Sequence, residues 1–304
     1  MTDQIDVALV QTCSGRDLDA NLDALATAIR AAAAGGAQFI LTPENAALME
    51  PDRAVKRARA EDEAHPRVLA VFRDLAIETG AWLLAGSVAT RLAPRDCDDG
   101  PGQDDRLANR SSLFAPDGRI VAQYDKIHMF DVDLAAGESY RESAQFRPGD
   151  QPVIAETPWG LVGLSICYDL RFAALYRRLA QAGATILTVP SAFTVPTGRA
   201  HWRTLLRARA IETGCFVLAP AQTGLHDGGR RTYGHSLIVD PWGEILAEGG
   251  EEPELVTATL DLARIAEVRR MVPSLRHDRP LAPPLRCPNP NPNPNPNPTP
   301  NLVS

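Results

Sequence analysis

The chain predicts an α/β fold in which two mixed β-sheets stack face to face with helices outside. Short apolar runs alternate with stretches of helical periodicity, the pattern of a layered α/β protein. Several runs are joined by turn chemistry instead of helical crossovers, so the strands are not all parallel. The strands are also too many for one compact mixed sheet, and two stacked sheets resolve this.

Taken in order, residues 5–11 read as a strand. Asp17 caps a helix whose face, Leu18, Leu22, Leu25 and Ile29, recurs at spacings of 4, 3 and 4. Residues 37–42 form a second strand, 67–79 a helix entered from Pro66, and 82–89 a third strand. An acidic, Gly-containing loop at 95–105 carries Cys97, expected to be exposed. Strands at 111–115 and 119–124 flank Pro116-Asp117-Gly118, a hairpin signal. Next come a buried strand at 161–166, a helix at 172–181 closed by Gly183, and a strand at 185–189. A helix at 202–213, strands at 216–219 and 236–239, a turn at Pro241-Trp242-Gly243-Glu244, a strand at 255–260 and a helix from Asp261 complete the unit.

Composition narrows the function. The 304 residues carry 31 Lys and Arg against 38 Asp and Glu, a net charge of −7, with 44% hydrophobic and 23% charged residues. Those are globular values. The acidic balance and the lack of a basic run argue against a nucleic-acid partner. No apolar run approaches the ~20 residues a membrane helix needs, and the first residues lack the basic start and apolar stretch of a secretory signal. The cysteines at 13, 97, 167, 215 and 287 are odd in number and widely spaced, with no C-x-x-C. They form neither a zinc knuckle nor a disulfide framework, and the expected setting is the reducing cytoplasm. There is no H-E-x-x-H, G-x-G-x-x-G or phosphate-loop motif, so neither metal nor cofactor is expected. Ten of the 25 prolines follow Arg279. The Pro-Asn alternation at 288–301 fixes φ and removes every second donor, so it joins neither sheet nor helix. The expected organisation is a folded domain at 4–279 and an extended, disordered tail at 280–304.

Three reactive residues follow apolar strands: Glu44 after Thr42-Pro43, Lys126 after Tyr124-Asp125, and Cys167 after Ser165-Ile166. Ligand sites gather at the carboxyl ends of strands in α/β sheets. A carboxylate can take a thiol proton, and an ammonium with a backbone N–H can hold the oxyanion of a tetrahedral adduct. Together they suit acyl transfer through a thioester. Singly, each has a plainer reading: an inert buried thiol, a loop carboxylate, an exposed strand end.

The wording around them is more specific. Thr42-Pro43-Glu44-Asn45, Tyr124-Asp125-Lys126-Ile127-His128-Met129-Phe130 and Gly163-Leu164-Ser165-Ile166-Cys167-Tyr168-Asp169-Leu170-Arg171-Phe172 resemble, in order and spacing, the signature segments of the nitrilase superfamily of carbon–nitrogen hydrolases. Gly234-His235-Ser236 and Val239-Asp240-Pro241-Trp242-Gly243-Glu244 extend the resemblance, which spans about residues 5–279. It implies a four-layer α-β-β-α sandwich. It also implies that Cys167 is the nucleophile, Glu44 the general base, Lys126 the oxyanion-stabilising cation and Tyr168 a backbone N–H donor to the same oxyanion. A further glutamate follows the family's lysine by 16 positions, here Glu142, to orient Lys126 or meet the leaving amine; Glu138 is the lesser competitor. A homodimer or larger homo-oligomer is implied, with a small-molecule amide and water as substrates.

Ser191-Ala192-Phe193, Thr197-Gly198, His201-Trp202 and residues 205–213 resemble the Nit subgroup, which includes deaminated glutathione amidases and omega-amidases. The run at 207–213, with Ala221-Gln222-Thr223-Gly224 and Tyr233-Gly234-His235, reads closer to the former. Arg199 and Arg203 depart from the subgroup's usual Pro and Glu, which leaves substrate choice open. Arg171 is a candidate for gripping a substrate carboxylate bidentately, against a salt bridge to Asp169 or Glu142. Arg199 is a second carboxylate candidate, His201 a pocket residue, and Phe193 and Trp202 wall and core. The expected activity is amide hydrolysis on a small carboxylate-bearing substrate. A nitrilase, a papain-type pair of Cys167 with His201, and a catalytically silent binding protein of the same fold are the alternatives. The last two leave Glu44 and Lys126 without a purpose.

Overall fold

The computed structural model describes residues 3–62, 64–92, 104–134 and 138–286. Cys97, with the expected acidic loop up to residue 103, and the Pro-Asn tail lie outside the described residues.

The chain opens with β1 (Gln4–Gln11), α1 (Leu18–Ala34), β2 (Phe39–Leu41), α2 (Arg53–Ala58), β3 (Glu61–Asp62) and α3 (Val68–Thr79). Then follow β4 (Trp82–Arg91), β5 (Ala108–Phe114), β6 (Ile120–Asp125), the hairpin β7 (Asp131–Asp133) and β8 (Ser139–Arg141), β9 (Val153–Thr157) and β10 (Gly160–Leu164). The second half holds α4 (Ala173–Gln181), β11 (Ala184–Thr188), α5 (Val195–Thr213) and β12 (Phe216–Ala219). It closes with a hairpin of β13 (Thr223–Leu225) and β14 (Arg231–Tyr233), then β15 (Leu237–Val239), β16 (Ile245–Glu248), β17 (Glu254–Asp261) and α6 (Ala263–Met271).

One sheet runs β17-β1-β2-β4-β5-β6, with β3 beside β4; the other runs β16-β15-β12-β11-β10-β9. Both are mixed: β1, β2 and β4 are parallel, with β3 parallel to β4, as are β10, β11 and β12, whereas β17, β5, β9 and β15 pair antiparallel with their neighbours. Period-two alternation assigns the faces. Ile5, Val7 and Leu9 of β1 enter the core shared with the second sheet, whereas Ala8 and Val10 pack with Leu22, Leu25 and Ile29 of α1. Across the two sheets, the Phe39 ring stacks on Trp159 at 5.9 Å, and Trp159 meets Trp82 edge-on at 5.8 Å. α4 and α5 cover the outer face of the second sheet. The architecture is therefore a four-layer α-β-β-α sandwich. No helix among the described residues is long and apolar enough to cross a membrane.

Asp17 caps α1 as expected, accepting from the N–H groups of Asp19 and Ala20 at 3.0 and 3.1 Å. The helix expected from Trp202 instead begins at Val195. Pro196 fits in the first turn, where a proline removes only an N–H that has no helical partner, and Thr194 holds the extended N-cap conformation. The small elements β3, β7, β8, β9, β13, β14, β16 and α2 were not expected.

Candidate active site

Each reactive residue reaches the site on a loop that its own neighbours pin. Beyond β2, Thr42 donates its N–H and hydroxyl to Leu84 O at 3.0 and 3.2 Å and accepts from Gly86 N at 3.1 Å. Asn45, at φ 54°, donates its N–H to Ser87 Oγ at 3.0 Å, so the Glu44 loop is tied to β4 on both sides. A side chain on Gly86 would begin 1.9 Å from Thr42 O and 2.7 Å from Pro190 Cβ, so only glycine lets the Glu44 loop and the Pro190 turn cross there. Lys126 ends β6 with its N–H on Asn109 O at 3.0 Å. Cys167 opens a short 3-10 helix (Cys167–Arg171) at φ 50°, with its N–H on Pro190 O at 3.0 Å.

These loops bring Glu44, Lys126, Glu142 and Cys167 together. Lys126 Nζ lies 3.0 Å from Glu44 Oε1 and 2.9 and 2.8 Å from the two oxygens of Glu142. Asn109 Nδ2 donates to Glu44 Oε1 at 2.9 Å and to Glu142 Oε1 at 3.2 Å. Phe130 N–H donates to Glu142 Oε2 at 2.7 Å, which fixes the second glutamate against the lysine. Glu138 is exposed and holds Tyr140 instead. The Cys167 thiol lines the same cavity as the Glu44 carboxylate and feels its charge.

Burial alone would raise Glu44, but the Lys126 charge and the hydrogen bonds from Cys167 and Lys126, with Arg230 beyond, hold it below the usual carboxylate range. Burial alone would lower Lys126; the charges of Glu142, Glu44 and Cys167 hold it above the usual lysine range. Burial, then the Glu44 charge, push the Cys167 thiol well up against the opposing pull of Lys126. The resting arrangement is thus a neutral thiol beside an ionised carboxylate and a cation.

A buried carboxylate sets how these two arms meet. Asp169, fully buried, accepts from Tyr124 OH at 2.7 Å and Ile166 N at 2.9 Å through one oxygen. The other oxygen accepts from His128 N at 3.0 Å and meets His128 Nδ1 at 2.7 Å. Tyr124 and His128 flank Lys126, and Ile166 precedes Cys167, so one side chain ties both. An amide in its place can accept at one atom only. Asp169→Asn is expected to cost about 3 kcal/mol of stability and, in the fraction that folds, to lower kcat more than it raises KM. Urea unfolding alongside steady-state kinetics checks both.

The thiol faces a cavity of about 140 Å³, or 730 Å³ counting its open mouth, lined by residues that include Tyr168, Arg171 and Phe193. Arg171 pairs with neither Asp169 nor Glu142. It touches His201 Nδ1 at 3.3 Å and lies over the rings of Tyr168 and Phe193 at 5.7 and 5.6 Å. Two expectations need correction, and Arg203 lies apart from the cavity as well. Arg199 is exposed on α5 and does not line the cavity. His201 is exposed too and reaches the cavity only through Arg171. Arg203 is held on the surface by Glu248 at 2.6 Å. The cause is the earlier start of α5, which turns these positions outward. Trp202 is core, with its Nε1 on His235 O at 2.7 Å. Sequence reading missed Asn109, Lys56 and Arg230, which come from segments without a motif; Asn109 alone was findable, as the strand partner of Lys126.

Residues 6–270 match the carbon-nitrogen hydrolase family. A deaminated glutathione amidase of Yersinia enterocolitica is 39% identical over 274 residues, covering 90% of this chain and 92% of the relative. Among solved structures, Nit3 of Saccharomyces cerevisiae, a member of branch 10 of the nitrilase superfamily, has a TM-score of 0.77 at 30% identity, covering 89% of this chain and 94% of that one. An amidase mutant from Nesterenkonia sp. AN1, with the acetamide moiety of fluoroacetamide added covalently at its active-site cysteine, has a TM-score of 0.71 at 27% identity, covering 89% and 96%. With its sandwich fold and its buried Glu44, Lys126 and Cys167, the chain belongs to the carbon–nitrogen hydrolase family, the nitrilase superfamily, as an amidase.

Proposed function

We propose that this amidase hydrolyses a small carboxylate-bearing amide by way of a Cys167 thioester, with a specificity of the deaminated glutathione amidase kind. The observation that carries the reading is the buried Glu44–Lys126 pair at 3.0 Å, which lines one cavity with the Cys167 thiol. Cys167 Sγ attacks the amide carbon as its proton passes to Glu44. The oxyanion is held by Lys126 Nζ and the N–H of Tyr168. Collapse expels the amine, which takes the proton from Glu44. Water then gives a proton back to Glu44 and attacks the thioester, releasing the acid and restoring the thiol. Glu142 keeps Lys126 charged and in place. Homo-oligomerisation is part of the reading; exposed Ile211, Trp242, Met271 and Val272 on the outer layer support it.

A substrate panel tests the reading: deaminated glutathione, α-ketoglutaramate, α-ketosuccinamate, N-carbamoyl amino acids and simple nitriles, followed by product release. Preference for α-ketoglutaramate would move the reading to an omega-amidase, and turnover of nitriles would move it to a nitrilase. Arg171 is the residue expected to grip the acyl-side carboxylate, since no ion pair occupies it among the described residues. Arg171→Lys is expected to raise KM for the acid by roughly 10-fold or more, and far less for its methyl ester. Equal losses on both would mark a structural role.

The pH dependence follows from the same groups. Glu44 sits below its usual 4.5, so its ionised form contributes stability above the unfolded-chain value, lost as pH falls through the lower folded value. Lys126 sits above its usual 10.5, so its contribution is full below that value and is lost only as pH rises through the higher folded one. The acid limb of kcat/KM is therefore expected below pH 4.5, with the fold intact across the neutral range. A pH–rate profile with parallel circular dichroism checks this.

A further inference from the structure

Two cations reach the cavity from elements that carry no signature motif. Lys56, on α2, and Arg230, beside β14, line it together with Cys167. Lys56 Nζ donates to Gln145 Oε1 at 3.2 Å and stands over the Phe146 ring at 5.4 Å. Arg230 donates to Ala192 O at 2.6 Å and lies over the Tyr140 ring at 5.6 Å, while its buried Nε has no hydrogen-bond partner. Neither makes an ion pair among the described residues.

Their place relative to Arg171 is fixed by a ladder of rings. Arg230 lies over Tyr140; Tyr140 packs on Phe130 at 5.2 Å; Phe130 packs on Tyr168 at 5.1 Å; and Arg171 lies over Tyr168. The two guanidiniums thus lie over the first and last rings of one run of aromatic contacts. We propose that Lys56 and Arg230 form a second anion subsite, which takes a carboxylate on the amine side of the scissile amide while Arg171 takes the one on the acyl side. This rests on the amidase reading above. The preferred leaving group is then an amino acid or short peptide with a free carboxyl end.

Electrostatics supports the side chosen. Burial and the neighbouring Arg230 charge push the Lys56 ammonium below the usual lysine range, against the pull of Glu142, Glu44 and Glu50, so a carboxylate arriving there relieves a like-charge contact. Arg230 lines the same cavity as Glu44, which hands the proton to the departing amine, and its charge reaches that carboxylate.

The test compares deaminated glutathione, whose amine portion is a dipeptide acid, with the same compound as its C-terminal carboxamide. The kcat/KM ratio of acid to carboxamide is expected to be roughly 10–150 in the native protein and to collapse toward one in Lys56→Gln and Arg230→Gln. A native ratio near one, or a ratio unchanged in both variants, overturns the subsite. Should Arg230→Gln fail to fold, Lys56→Gln carries the comparison, since Lys56 holds only a side-chain amide. Calorimetry on the Cys167→Ala protein separates the two claims. If the native protein hydrolyses neither compound, the deaminated glutathione reading fails by itself. Tighter binding of the acid, by about tenfold or more, would still support the subsite; equal binding or none would overturn it.

Discussion

Cys167→Ala is expected to reduce turnover on every amide by on the order of 10⁴–10⁶-fold, because no other group near Glu44 and Lys126 can form the acyl intermediate. The fold should survive. Alanine fills most of the thiol's volume, and the left-handed backbone at φ 50° is no harder for alanine than for cysteine. The matching covalent test is alkylation followed by peptide mapping. Cys215 is fully buried with its Sγ on Ala184 O at 3.2 Å, so it should label slowly. Cys13 is exposed, but burial of its thiol followed by the charges of Asp227 and Glu252 raise its pKa. Cys167 is expected to gain its reactivity from Glu44, so labelling should be faster at Cys167 than at Cys13 or Cys215 and should slow sharply in Glu44→Gln. Near-native turnover in Cys167→Ala would end the thioester mechanism.

Lys126→Met is expected to strike both stability and catalysis. Lys126 is 1% exposed and balances Glu44 and Glu142, themselves 5% and 13% exposed in their side chains. Removing it leaves buried carboxylates without a cation, an error that typically costs about 3–5 kcal/mol, or on the order of 10 °C in Tm for a domain of this size. Loss of the oxyanion partner adds roughly 10²–10³ in rate. The two effects separate in Lys126→Met combined with Glu142→Gln, which should recover part of the stability and none of the activity. The sign with pH also discriminates. Without Lys126, burial raises the folded pKa of Glu44 above its unfolded value, so the penalty of the variant is largest near neutrality and shrinks as pH falls. Thermal denaturation of native and variant proteins at pH 5 and 7 measures this. A deficit that did not shrink would mean that packing around the lysine stem, not its charge, holds the site.

The sequence alone determined whatever depends on local order. Period-two and helical spacing placed the long strands and helices, the Asp17 cap followed from residue chemistry, and three short segments marked Glu44, Lys126 and Cys167, because the wording of a strand-end loop is fixed by the chemistry performed there. Glu142 followed only from the resemblance, which places a glutamate 16 positions after the lysine. Elements of two or three residues escaped, since a strand such as Asp131–Asp133 has no core face to leave a period, and α5 was misplaced at its start by a proline that its first turn tolerates. Which cations line the cavity was decided only in three dimensions. Arg171, Arg199 and Arg203 look alike in a linear reading, yet one points into the cavity, one into solvent and one onto Glu248. Lys56 and Arg230, separated in sequence by most of the molecule, arrive together at the mouth. The physical reason is that a catalytic loop carries its own backbone constraints in its sequence, whereas a pocket wall is assembled from side chains whose direction is set by helix phase and by the packing of elements remote in the chain.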